Sequence, residues 1–159
     1  MITQGKTQIR REQMAKKKIL VGMLIIVLVM AFVGCTDKTI TIDLNVTNDR
    51  DGKIHSAFAN VLSDLDIKIG GDKVRYVLDV DVTIAPVDMP GNPNKFARIN
   101  VDANLTDTKK NILLLPFNFS LREGHVNEKM AEERCFTYAV KKIDDDYKEL
   151  LSDCLSKMK

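Results

Sequence analysis

The chain has 159 residues, of which 45% are hydrophobic and 29% charged, with a formal net charge of +2. That length suits one compact domain plus a targeting segment, and the composition is too apolar for a disordered chain. The first 34 residues hold six Lys or Arg against the single acid Glu12. The remainder is therefore net acidic and has no basic surplus to attract nucleic acid.

Lys16, Lys17 and Lys18 precede an apolar run from Ile19 to Val33, interrupted only by Gly22. About fifteen residues fall short of the ~20 that a membrane-spanning helix needs. The run has instead the length of a signal-peptide core, with the lysines as its basic start. It closes on Phe32, Val33, Gly34 and Cys35, which resembles the lipobox of bacterial lipoproteins. Phe32 departs from that pattern, where Leu is usual. The resemblance implies that the Cys35 thiol receives a diacylglyceryl group and that the signal segment is cut between Gly34 and Cys35. An added amide-linked chain such as palmitate then gives the two acyl signals that stable anchoring requires. Thr36 follows the cysteine, whereas Asp there favours inner-membrane retention in enteric bacteria. The resemblance thus implies an outer-membrane lipoprotein facing the periplasm. The organisation reads as a signal segment over 1–34, a lipidated linker over 35–38 and one domain over 39–159. Met14 offers a more ordinary start, which would make 1–13 an overextension.

In the domain, Ile40, Ile42, Leu44 and Val46 alternate with Thr41, Asp43 and Asn45, predicting a half-buried strand. Residues 48–52, Asn-Asp-Arg-Asp-Gly, supply a turn and a helix cap. Ile54, Ala57, Phe58, Val61, Leu62 and Leu65 then recur at helical spacing. Asp66 to Ile69 reads as a short edge strand closed by Gly70 and Gly71. Val74 to Val87 is a long strand, and Pro86, Pro90, Gly91 and Pro93 turn the following stretch into a loop. Phe96 to Thr106 alternates cleanly, with Ala97, Ile99, Val101, Ala103 and Leu105 on one face. After a polar turn, Ile112 to Arg122 places Leu113, Leu115, Phe117, Phe119 and Leu121 together. Pro116 suits an edge strand. From Asn127 to Lys157 no Pro or Gly occurs, and one long helix is expected. Its apolar stripe runs through Cys135 or Phe136, Val140, Ile143, Tyr147, Leu150, Cys154 and Leu155. The order β-α-β-β-β-β-α predicts an α+β two-layer sandwich, a mostly antiparallel sheet with two helices on one face, following the N-terminal signal helix.

Cys135 and Cys154 lie nineteen residues apart in that helix, roughly 28 Å at the helical rise. A disulfide needs Cα atoms within about 7 Å, so both thiols are expected to stay free and buried. His55 and His125 have no partner at metal-ligand spacing. No catalytic motif, cofactor signature or metal motif is present. Asp79 and Asp81 share one strand face and, with His125, offer the alternative of a metal-dependent or enzymatic periplasmic protein.

The last seventy residues join a strand pair, a short polar turn, Gly124 and His125, and a long terminal helix. This pattern resembles the α+β lipoprotein domains of the bacterial envelope. Those include the curli-secretion type, the activators of penicillin-binding proteins and the lipopolysaccharide-assembly lipoproteins of the LptE type. The resemblance implies action by contact rather than by catalysis, with an envelope protein as partner and the bilayer held through acylated Cys35. The expected contact surface is the sheet face opposite the helices or the loop from Pro86 to Asn94, which is long enough to project, as loops on a rigid scaffold often carry function.

Overall fold

The computed structural model describes residues 39–70 and 74–158. The signal segment, the linker, Gly34, Cys35 and Gly71 lie outside the described residues. The elements are β1 (Thr41–Thr47), α1 (Lys53–Asp64), β2 (Lys68–Ile69), β3 (Tyr76–Val87), β4 (Lys95–Asp107), β5 (Ile112–His125) and α2 (Glu128–Lys142). A π-helical segment, Ile143–Tyr147, then continues into α3 (Lys148–Met158). The strands form one mixed five-stranded sheet of order β2-β1-β3-β4-β5. Its long pairings, β3 with β4 and β4 with β5, are antiparallel, while β1 runs parallel to both β2 and β3. The fold is the expected α+β arrangement of a sheet covered by helices.

Alternation decides which face is covered. Ile42, Leu44, Leu78, Val80, Val82, Ile99, Val101 and Leu105 are all buried, as are the α1 residues Ile54, Phe58, Val61 and Leu62. Each such side chain contributes roughly 1.5–3 kcal/mol by leaving water. Small residues let α2 approach β4: Ala97 and Ala103 on the strand and Ala131, Cys135 and Ala139 on the helix are all fully buried. The approach is close enough for the Cys135 thiol to donate to the Ala97 carbonyl at 3.2 Å. Tyr147 joins the layers, its ring 4.9 Å from Phe58 of α1 and 5.2 Å from Phe117 of β5.

Local signals account for the element ends. Asn127 caps α2, its side chain accepting from the Met130 N–H. The cap of α1 is less direct: Gly52 occupies the cap position at φ 66° with no side-chain bond. Asp49 reaches in from the preceding turn, its Oδ2 accepting from the His55 N–H at 2.8 Å. Pro86 sits in β3 rather than in the loop, which spans residues 88–94. β1 stops at Thr47, opposite Asp81, so the far half of β3 has a free edge where a residue without an N–H fits. Pro116 likewise lies on an edge strand, β5.

Two expectations about side-chain phase are corrected. Leu113 does not share the buried face of β5, being 55% exposed. An irregularity pairs Leu105 with Leu115 but Thr106 with Leu113, so the extra residue, Leu114, shifts the alternation and itself packs against the core. Leu150 does not continue the helical stripe, being 42% exposed, whereas Leu151 is fully buried. The cause is the π segment, whose wider turn inserts one residue and moves the stripe to positions 143, 147 and 151. The strand Ile112 to Arg122 also extends three residues further, to His125.

Candidate functional site

The helices cover one sheet face and leave the other open. Across β1, β3, β4 and β5 that open face carries Asp43 and Asn45, then Asp79, Asp81 and Thr83, then Arg98, Asn100, Asp102 and Asn104, then Asn118, Ser120 and Arg122. Small polar side chains crosslink it laterally. Asn45 donates to Asp79 at 3.1 Å, Thr47 and Asn48 donate to the same Asp81 oxygen at 2.7 and 2.8 Å, and Asn100 donates to Thr83 at 3.0 Å.

The pair Asp79 and Asp81 is thereby placed on the open face, each carboxylate accepting from β1 or the turn after it. His125 is not brought to them. It ends β5 at the other end of the sheet, in register with Lys95, and its Nδ1 accepts from the Asn127 N–H. His55 is exposed on α1. Among the described residues no group of three or more His, Cys, Asp or Glu side chains is arranged to hold a metal ion.

Charge on the open face is segregated along the strands. The aspartates crowd the half near β1. The arginines occupy the half near the β3–β4 loop, where Arg98 stands directly opposite Arg122. Neither arginine has an ion-pair partner among the described residues. Beside them Phe96 lies in register with Gly124. A Cβ added to Gly124 would sit 2.5 Å from the Phe96 ring, so the glycine is what lets the aromatic lie flat across β5. The loop completes this end: Val87, Asp88, Met89, Pro90, Gly91, Asn92, Pro93 and Arg122 line a cleft of about 590 Å³. Gly91 takes φ 82°, and the Asn92 side chain accepts from the Asn94 N–H at 2.9 Å, fixing the loop locally.

The sequence offers the open sheet face or the loop as the contact surface, but not the arginine pair or the Phe96–Gly124 contact. Alternation alone puts Arg98 on the strand face opposite Ala97 and Ile99 and says nothing of what it meets there. The missing information is strand register, which a single strand's alternation does not contain.

No family model matches the chain, and no curated protein matches it in sequence. Solved structures do match. The minor lipoprotein from Acinetobacter baumannii superposes with a TM-score of 0.55 at 15% identity, over 71% of this chain and 92% of that one. The rare lipoprotein B from Shewanella oneidensis gives 0.53 at 12% identity, over 75% and 99%. At such identities the likeness establishes architecture: the domain of this chain has a fold found in bacterial lipoproteins.

Proposed function

We propose that the protein is an envelope lipoprotein anchored through acylated Cys35, facing the periplasm from the outer membrane, and that it acts as a non-catalytic binding or assembly module. The observation that carries this reading is the succession along the chain. A basic start, a short apolar run and a Gly34-Cys35 pair lead within a few residues into a domain whose fold is shared with lipoproteins. Support for contact rather than catalysis comes from the open face. Its Asp79 and Asp81 are tied to Asn45, Thr47 and Asn48, and its unpaired charge lies beside a loop cleft. The chain enters the sheet at β1, whose Ile42 is level with Tyr76 at the start of β3. The loop cleft lies past Val87, at the other end of that strand, roughly 36 Å from Tyr76 at the strand rise.

The test is membrane partition in an expressing bacterium, with an alkyne fatty acid supplied as metabolic label. The wild-type chain is expected to carry the label and to fractionate with the outer membrane. Cys35→Ser is expected to lose the label and to accumulate as the longer precursor. Labelling that persists in Cys35→Ser overturns the anchor assignment. Crosslinking in intact cells addresses the module half of the reading, which fails if the wild-type chain forms no adduct with any envelope protein.

A further inference from the structure

We infer that the end of the open sheet face beside the β3–β4 loop is a docking site for a short, extended protein segment carrying spaced carboxylates and apolar side chains. The inference deepens the binding-module reading and rests on it. Its first observation is the cross-strand pair Arg98 and Arg122, directly opposite in register and without a carboxylate partner among the described residues. Like charges set opposite each other on a sheet repel, and a carboxylate between the two guanidinium forks relieves that repulsion with paired, charge-assisted hydrogen bonds.

The second observation is apolar. Phe96 lies across Gly124 beside the arginines, and the cleft next to them has Val87, Met89, Pro90 and Pro93 in its walls. A partner with side chains alternating between acidic and apolar matches both, and the two-residue side-chain period of an extended segment presents them together.

Two features select a peptide over a lipid surface. The same open face carries Asp43, Asp79, Asp81 and Asp102, so an anionic bilayer lying on it meets more acids than arginines. A peptide covers only the basic end. Asp88 also lines the cleft, which disfavours a dense polyanion and tolerates carboxylates at separated positions.

The test uses the full chain held in non-ionic detergent and a fluorescein-labelled, end-blocked hexapeptide of alternating glutamate and leucine. Fluorescence anisotropy is expected to show saturable binding that weakens with added salt. Arg98→Gln and Arg122→Gln should each reduce affinity by about tenfold, the scale of a lost charge-assisted hydrogen bond. Arg98→Lys, which keeps the charge and loses the fork, should fall between. Asp79→Asn, on the acidic half, should bind as the wild type does. Unchanged melting temperatures in the arginine variants separate loss of the site from loss of the fold. The proposal is overturned if the glutamine version of the peptide binds equally, or if the arginine variants retain full affinity. Arg98-dependent binding of phosphatidylglycerol vesicles in preference to the peptide also overturns it, in favour of a lipid surface. Because the detergent-held chain needs no acyl group, a failure of Cys35 lipidation overturns the anchor and leaves this result standing. A failure here leaves the anchor standing.

Discussion

Arg75 grips Asp107 through two nitrogens, Nη2 at 2.6 Å and Nε at 3.0 Å from the same carboxylate oxygen. The other oxygen of Asp107 accepts from the Lys109 and Lys110 N–H groups, both at 3.1 Å. One side chain thus closes the β4–β5 turn and ties it to the start of β3, and it is the only buried charged residue among those described. The guanidinium of Arg75, followed by the turn N–H groups, holds the Asp107 carboxyl below the usual carboxylate range against the opposing effect of burial. A carboxyl whose folded pKa is depressed contributes stability above its unfolded value and loses it as pH falls through the folded one. Asp107→Asn is therefore expected to lower the melting temperature at neutral pH, with the gap to wild type closing as pH falls below about 4. Thermal denaturation followed by circular dichroism across that range checks it. A gap that stays constant into acid would mean that the charge contributes nothing.

Tyr147 presents the opposite case. Its ring is central to the core, while its hydroxyl is buried without a hydrogen-bond partner among the described residues. Burial pushes the phenol pKa far up, so the group stays neutral at any ordinary pH. An unpaired buried hydroxyl costs about 1–3 kcal/mol of desolvation, and Phe keeps the ring without it. Tyr147→Phe is expected to be neutral or stabilising by about 1 kcal/mol, read by urea unfolding at unchanged slope. Tyr147→Ala should cost about 3–5 kcal/mol through the cavity it leaves. A clear loss of stability in Tyr147→Phe would show that the hydroxyl has a partner.

Cys135 is fully buried, and Cys154 is partly exposed near the Leu114 carbonyl. Burial raises both thiols above their ordinary range, which lowers the thiolate fraction on which reaction depends. No disulfide joins the two. Modification by a thiol reagent in the native state should be slow, with Cys154 reacting before Cys135 and both reacting promptly in denaturant. A monomer disulfide between them under non-reducing peptide mapping would contradict the continuous helical run of α2, the π segment and α3.

Element order and type were legible in the sequence because local period is enough to distinguish strand from helix. The alternation of Ala97 to Leu105 and the three- and four-residue recurrence from Ile54 to Leu65 map onto β4 and α1 directly. Phase was lost wherever one residue was inserted. Leu114 shifts β5, and the π turn at Ile143–Tyr147 shifts the terminal helix, so Leu113 and Leu150 face water. Neither insertion alters composition or spacing before the break. The parallel pairing of β1 with β3 was equally hidden, since pairing is a property of two distant segments. The same holds for the candidate site: the loop announced itself through Pro90, Gly91 and Pro93, but the meeting of Arg98 with Arg122 depends on register alone.

The measurement that tests the anchored-lipoprotein reading most directly is the intact mass and terminal peptide of the mature chain purified from bacterial membranes. The account predicts a chain that begins at Cys35, carries a diacylglyceryl thioether and an amide-linked acyl group, and lacks residues 1–34. A mature chain that begins at Met1 or Met14 with an unmodified Cys35 thiol would contradict it.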